Sequence, residues 1–362
     1  MLASREKISI RQAVILFIMF VYSPSLRLYP AIAARFGRQA GWLTPLISVL
    51  PFLCLIYIMQ SLFKKNREAN LSDIIFKVFG RIVGSVLLFL YLLWTMVTLG
   101  IYVRYFAERF LAALLPDTPL TFFVVTILAA TFYVLQKGIV YISRTAEFLF
   151  TIFTVIFVVL FLFIVKDIKV INLFPITYHD FLPLLKSTYS NLGLWGSFTP
   201  IFFLGDKIND KEHIRRFGLQ SAIYLVIATI MILLQTIGVY GYSVIERAST
   251  PYVFVIKSIS ILQTIERIES VTVVSWIIVD FIAISFILYI IACIMKSLFS
   301  LSDEKPLLSP IVIFAYTFVQ YIAHSRFELE KFLKTISVPL SIIFGFVFPL
   351  IILIVGKIRK KV

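Results

Sequence analysis

The chain has 362 residues, 60% of them hydrophobic and 16% aromatic, with a formal net charge of +15. A mean hydropathy of +0.98 exceeds what a soluble fold of this length needs, so an integral membrane protein in a lipid bilayer is expected. The basic excess falls in short clusters between apolar runs and not on one amphipathic surface, which argues against a nucleic-acid partner and assigns the charge to membrane orientation.

Runs of roughly 18 to 25 apolar residues predict an all-α protein of about ten spanning helices. The first five fall at about 10–34, 42–63, 82–113, 119–136 and 143–165, and the second five at about 187–205, 216–243, 269–299, 307–323 and 336–356. The third and eighth are long enough to tilt. Arg5, Lys7 and Arg11 before the apolar stretch Ala13 to Tyr22 imitate a signal peptide, but the segments that follow are also apolar, and a retained first span is expected. With both termini in the cytoplasm, that cluster joins Lys64, Lys65, Arg67, Lys77, Arg81 and the tail Lys357, Arg359, Lys360 and Lys361 on one side, as the positive-inside rule requires. Cys54 and Cys293 sit inside apolar runs, so no disulfide is expected. Between the seventh and eighth spans, Val253, Ile256, Ile259 and Ile261 suggest a short amphipathic helix, and another is expected from Asp180 to Lys186.

Two spans carry interruptions. Ser23-Pro24-Ser25 breaks the first, and Asn191-Leu-Gly193-Leu-Trp195-Gly196-Ser197-Phe-Thr199-Pro200 breaks the sixth. Backbone that leaves its helix inside a bilayer survives only where protein or a cavity satisfies it. No repeat is visible in the sequence itself, yet ten spans divided five and five place the halves in opposite orientations. The two breaks then occupy symmetry-related positions, as in inverted-repeat transporters of the LeuT type with discontinuous first and sixth helices. A single domain over 1–362 is expected, with repeats at about 8–170 and 178–357.

Several short pieces then carry a resemblance. They are Lys7-Ile8-Ser9 with Gln12, Leu28-Tyr29-Pro30, Gly41-Trp42-Leu43-Thr44, Asn172-Leu173-Phe174-Pro175, and Glu266-Arg267-Ile268-Glu269-Ser270 with Trp276. In this order and spacing the chain resembles the spore germination permease family, the B-type subunit of germinant receptors in endospore-forming bacteria. The resemblance implies a multi-pass protein of the spore inner membrane with the fold of amino acid-polyamine-organocation transporters. It implies binding of a small germinant, often an amino acid, beside an A-type membrane subunit and a C-type lipoprotein. Family members tend to have Gly-x-Gly where this chain has Ser23-Pro24-Ser25, and often an acidic residue near the place of Thr199.

The candidate ligand site is read from the two breaks. Pro24 removes an amide and disfavours helix at Ser23, which would expose backbone groups around Ser23, Pro24, Ser25 and Leu26 to a ligand; an ordinary proline kink with back-bonded hydroxyls is the competing reading. Gly193, Gly196, Ser197 and Pro200 favour unwinding in the sixth span, or close packing through small residues. Asn191, Trp195 and Thr199 favour a cavity. Thr98 lies in a third-span stripe with Trp94, Thr95 and Tyr102, a pocket wall or a packing face.

Asp280 sits mid-span, where a carboxylate needs a partner or a proton, and Arg27 lies at a comparable depth, so an Arg27 to Asp280 pair, structural or proton-linked, is expected. Arg104, Glu108 and Arg109 are spaced for local ion pairs. Glu266, Arg267 and Glu269 suit a partner surface or a solvated cluster. His179, His213 and His324 lack ligand spacing; no metal, cofactor or enzymatic activity is expected. A germinant receptor subunit is the first functional reading, and a proton-coupled amino acid or polyamine transporter the alternative.

Overall fold

A chain that crosses lipid must satisfy its backbone within each segment. Among the described residues the regular structure is helical apart from one parallel bridge between Ile8 and Ile208. The computed structural model describes all residues except 1–6, 114, 116, 249, 258–267 and 324–325. The roles expected of Arg5, Ile259, Ile261, Glu266, Arg267 and His324 therefore lie outside the described residues.

Helix α1 (Ile10–Arg27) is followed by α2 (Tyr29–Gly37), a 3₁₀ stretch Arg38–Leu43, α3 (Thr44–Lys64) and the short α4 (Leu71–Phe79). Three long helices then complete the first half: α5 (Arg81–Ala113), α6 (Leu120–Leu135) and α7 (Ile139–Ile164). The second half opens with α8 (Phe181–Trp195), which tightens to 3₁₀ geometry from Gly196 to Lys207. It continues with α9 (Ile214–Tyr240), α10 (Tyr242–Ile245), α11 (Pro251–Lys257), α12 (Ile268–Phe299) and α13 (Leu308–Tyr321). The last span comprises α14 (Arg326–Phe332), α15 (Val338–Ile342) and α16 (Phe348–Ile358), joined by π-helical turns at Leu333–Ser337 and Ile343–Val347.

Each of the predicted spans has a helical counterpart. Among the described residues, seven helical stretches are long and apolar enough to cross a membrane. The fourth and ninth are shorter, at 16 and 14 residues, and the sixth is divided at Gly196. Helices α5 and α12 have 33 and 32 residues, about 50 Å at ~1.5 Å per residue against a hydrocarbon core of about 30 Å, so both must tilt. Helices α1 and α12 occupy the centre, each 83% buried over its most apolar window, whereas α7 at 22% faces outward with Phe148, Val155 and Leu162 exposed. One expectation fails: Asp180 to Lys186 is not a separate interfacial helix, because α8 starts at Phe181 and runs unbroken to Trp195. The amphipathic helix expected before the eighth span is represented by α11, which buries Tyr252, Val255 and Ile256 and exposes Phe254.

The short motifs act as fasteners. Ser9 and Gln12 form a reciprocal cap on α1, satisfying amides that have no helical partner. Ile8 pairs with the chain after the sixth span, its amide donating to the Lys207 carbonyl at 2.9 Å and its carbonyl accepting from Asn209 at 2.9 Å. Thr44 Oγ1 donates to the Gly41 carbonyl and lies 3.0 Å from Ser187 Oγ on α8. Gly41 itself is pressed on α2, where a Cβ would meet the Ala33 oxygen at 2.7 Å. Asn172 donates to the Gly238 and Val239 carbonyls, capping the end of α9.

Candidate ligand-binding site

The first interruption lies at Leu28 and not at Ser23-Pro24-Ser25. Helix α1 continues through Pro24 to Arg27, and only the turn residue Leu28 separates it from α2. Proline's missing amide leaves the Phe20 carbonyl without its helical donor. Tyr102 on α5 supplies one, its hydroxyl donating to that carbonyl at 3.1 Å. Downstream, the Pro24 carbonyl accepts from the Leu28 amide. Ser25 Oγ donates to the Val21 carbonyl at 2.8 Å, the local back-bond of the kink reading. Leu26 packs with Phe157, Leu160 and Ile232. Ser23 Oγ accepts from Arg109 at 3.2 Å.

The sixth span does change geometry, from α to 3₁₀ at Gly196, but one of its faces is a packed seam. A Cβ on Gly345 would come within 2.5 Å of Gly196 Cα, and one on Gly196 within 2.9 Å of the Ser341 carbonyl. Two backbones thus meet with no room for a methyl group. Thr199 Oγ1 donates to the Gly345 carbonyl at 2.7 Å, satisfying a group in the π-helical turn. Trp195 packs edge-on against Phe52 with ring centres 5.5 Å apart. Asn191 is buried, and neither of its amide atoms has a hydrogen-bond partner among the described residues. Asn191, Trp195 and Thr199, the residues expected to favour a cavity, line neither the large cavity nor the chamber beneath it.

The cavity is on the adjacent face. It measures about 740 Å³ and is walled by Phe20, Pro24 and Arg27 of α1, by Trp94, Thr98, Ile101, Tyr102 and Tyr105 of α5, by Ser190, Gly193, Leu194 and Ser197 of the sixth span, and by Leu333, Ser337, Val338 and Ser341 of the last. Each set recurs at intervals of three and four residues, one face of a helix. Arg35, Phe36, Lys186 and Arg247, all exposed, also line it, at the end of the cavity away from the start of α1. Beneath it, a chamber of about 50 Å³ shares Phe20, Trp94, Thr98, Ser197 and Ser341 and adds Gly196, Thr95, Phe286 and Ile290. Of the expected residues, Pro24, Arg27, Thr98, Gly193 and Ser197 therefore line the large cavity, Gly196 lines the chamber, and Ser23, Ser25, Leu26, Asn191 and Thr199 line neither. The eighth span contributes Phe286, Ile287 and Ile290 to the chamber and no residue to the main wall, which the last span helps to form.

The expected Arg27 to Asp280 pair does not form. Asp280 Oδ2 instead lies 2.8 Å from an Arg109 amino group, with Asp280 only 2% exposed. Arg109 also sets its guanidinium carbon 5.0 Å from the Trp276 ring centre. It reaches across from α5, while Arg104 takes Glu108 at 2.7 Å along its own helix. Arg27 points elsewhere: its guanidinium carbon stands 4.0 Å from the centre of the Tyr105 ring, and its Nε has no hydrogen-bond partner among the described residues.

Tyr102, expected in a stripe that is a pocket wall or a packing face, lines the cavity, and so do Tyr105 and the last span, for which no such role is expected from the sequence. Ser337, Ser341 and Gly345 recur at four-residue spacing, a small-residue stripe that marks a close helix contact and was the available signal.

On the side where α1 starts, several contacts tie the segments together. Lys207, where the 3₁₀ stretch ends, pairs with Glu304, which also accepts from Tyr289 at 2.6 Å and from Lys296 at 3.0 Å. The Ile8 bridge and a hydrogen bond from the Ile10 amide to Asp210 at 2.9 Å hold the start of α1 against the same segment.

With this geometry in place, comparisons with known proteins are informative. A family model described as spore germination protein matches residues 7–328. Spore germination protein KB of Bacillus subtilis (strain 168) is 24% identical over 365 residues, covering 99% of this chain and 96% of that protein. Spore germination protein A2 of the same organism is 22% identical over 340 residues, covering 93% and 92%. Among solved structures, Mhp1, a nucleobase-cation-symport-1 family transporter in a closed conformation with bromovinylhydantoin bound, superposes with a TM-score of 0.69 at 14% identity, over 94% of this chain and 78% of that one. At that identity the likeness is one of fold.

Proposed function

Since the chain belongs to the spore germination protein family, a multi-pass, permease-like membrane family, we propose that it is the B-type, germinant-sensing subunit of a germinant receptor. A small germinant of amino-acid size enters the cavity between the first, third, sixth and last spans. The observation that carries this reading is an open cavity of about 740 Å³ above a floor closed by the Lys207–Glu304 pair and the Ile8 bridge. A ligand that fits this arrangement better than its inverse shifts the balance between the two, which is all that signalling requires. The halves 8–170 and 178–357 are the moving parts, the chain ends lie in the cytoplasm, the membrane is the inner membrane of the spore, and A-type and C-type subunits receive the signal.

Filling the cavity tests the reading. Spores carrying Thr98→Leu or Ser197→Leu should lose most of the germinant response while the subunit stays at its normal level in the membrane. An unaltered response would remove the cavity from the mechanism. The alternative, a proton-coupled amino acid or polyamine transporter, is favoured by the buried Asp280, whose Oδ1 has no partner among the described residues. Sustained, pH-driven accumulation of ligand in liposomes holding this chain alone would select it.

A further inference from the structure

We infer that the cavity takes a small molecule bearing a carboxylate, and that Arg27 holds that carboxylate through its guanidinium edge; the inference rests on the reading of this cavity as the germinant site. Three independent features converge on it.

The first is the state of Arg27. It is 9% exposed, lines the cavity, and has no carboxylate within ion-pair distance among the described residues. Its contact is with the face of Tyr105. A guanidinium placed over a ring keeps its N–H edge as a fork of donors, and the planar group that fits such a fork is a carboxylate. A buried cation without an anion is expensive to maintain, and an arriving acid supplies the anion.

The second is the backbone. A ligand carboxylate at a broken first helix would be met by freed amides at a half-helix start. Here α1 is intact through Arg27, the Leu28 amide is engaged by Pro24, and Pro30 leaves the start of α2 one amide short, so the guanidinium of Arg27 is the charged donor beside the break.

The third is the charge of the lining. Arg27, Arg35, Lys186 and Arg247 face Glu246 and Glu330 among the described lining residues, and Glu246 lies 3.8 Å from Arg247. Dicationic polyamines meet a net positive wall. None of the lining residues of α5 or the sixth span is acidic, so no carboxylate on those walls awaits an ammonium. Trp94, Ile101 and Tyr102 offer apolar surface for the rest of the molecule.

Calorimetric titration of the full chain in lipid nanodiscs tests this. The probes are L-alanine, L-valine and L-phenylalanine, their amides, the matching amine-free acids (propionate, isovalerate and 3-phenylpropionate), and putrescine. At least one acid of the series should bind, its amine-free counterpart should bind within about tenfold, and its amide and putrescine should be weaker by about 100-fold, the scale of a charge-assisted hydrogen-bonded pair. Arg27→Lys, which keeps the charge and loses the fork, should cost about tenfold, and Arg27→Gln about 100-fold. An amide or putrescine that binds as well as its acid, or wild-type affinity in Arg27→Gln, overturns the carboxylate assignment and leaves the germinant reading standing. The probe series on the unaltered chain decides the point even if the variants fold poorly. Binding by no probe counts against the inference and the germinant reading together.

Discussion

Arg27 and Arg109 are both buried arginines near the middle of the molecule, and they are resolved in opposite ways. Arg109 is held by Asp280 at 2.8 Å and by Ser23, behind the cavity wall. Arg27 stands in the wall against a tyrosine face, with no carboxylate beside it among the described residues. Lipid tolerates a buried charge only when a counter-charge or a polar cavity accompanies it. The pair with the counter-charge therefore reads as framework, and the residue without one reads as the place left for a ligand.

The largest expected effect comes from breaking the framework pair. Asp280→Asn leaves Arg109 buried beside a neutral amide and should cost about 3–5 kcal/mol of stability, seen as a large drop in melting temperature in detergent. Arg27→Gln removes a charge that had no carboxylate partner and should leave the ligand-free protein as stable as before or slightly more so. Equal losses in the two variants would erase the distinction. Joint replacement by Asp280→Asn and Arg109→Gln should recover part of the loss, because it is the stranded charge that is costly.

Much of the fold was legible because its signals are periodic and strong. Apolar runs located the spans, and the glycines of the sixth span marked where α geometry ends. The site was legible only by depth, since a break is visible in composition while the face that looks into a cavity depends on helix phase. Asn191 and Trp195 share the sixth span with Ser190, Gly193 and Ser197 but sit on the packed side, and Leu26 is one residue from Arg27 yet belongs to another cluster. The partner of Asp280 was missed because depth admits any arginine nearby, and Arg109 reaches it across from α5. Two of the family motifs turn out to be fasteners, since the Ile8 pairing and the Asn172 cap lie away from the cavity and hold the ends of helices, whereas Leu28 and Tyr29 line the cavity.

A middle-sized effect is expected at the crossing of the sixth and last spans. Gly345→Ala places a methyl group 2.5 Å from Gly196 Cα, where backbone and not a movable side chain must yield. Overpacking of this kind costs about 1–3 kcal/mol. The same shift would disturb the chamber lined by Gly196 and Gly345, so ligand affinity should fall together with melting temperature. A variant of wild-type stability would mean that the two backbones have room to part, and the seam would no longer fix the floor of the cavity.

The smallest effects separate two serines that stand two residues apart. Ser23 accepts a hydrogen bond from Arg109, so Ser23→Ala removes one ligand of a buried cation and should cost about 1 kcal/mol. Ser25 donates to the Val21 carbonyl one turn back in its own helix, a bond that competes with helical geometry and adds little to it. Ser25→Ala should therefore lie within about 0.5 kcal/mol of the unaltered chain, with ligand affinity unchanged. If the two exchanged places, with Ser25→Ala the more damaging and the ligand lost with it, then the backbone around Pro24 would be open to the cavity in the working protein. The anion would then have amides as well as Arg27 to bind.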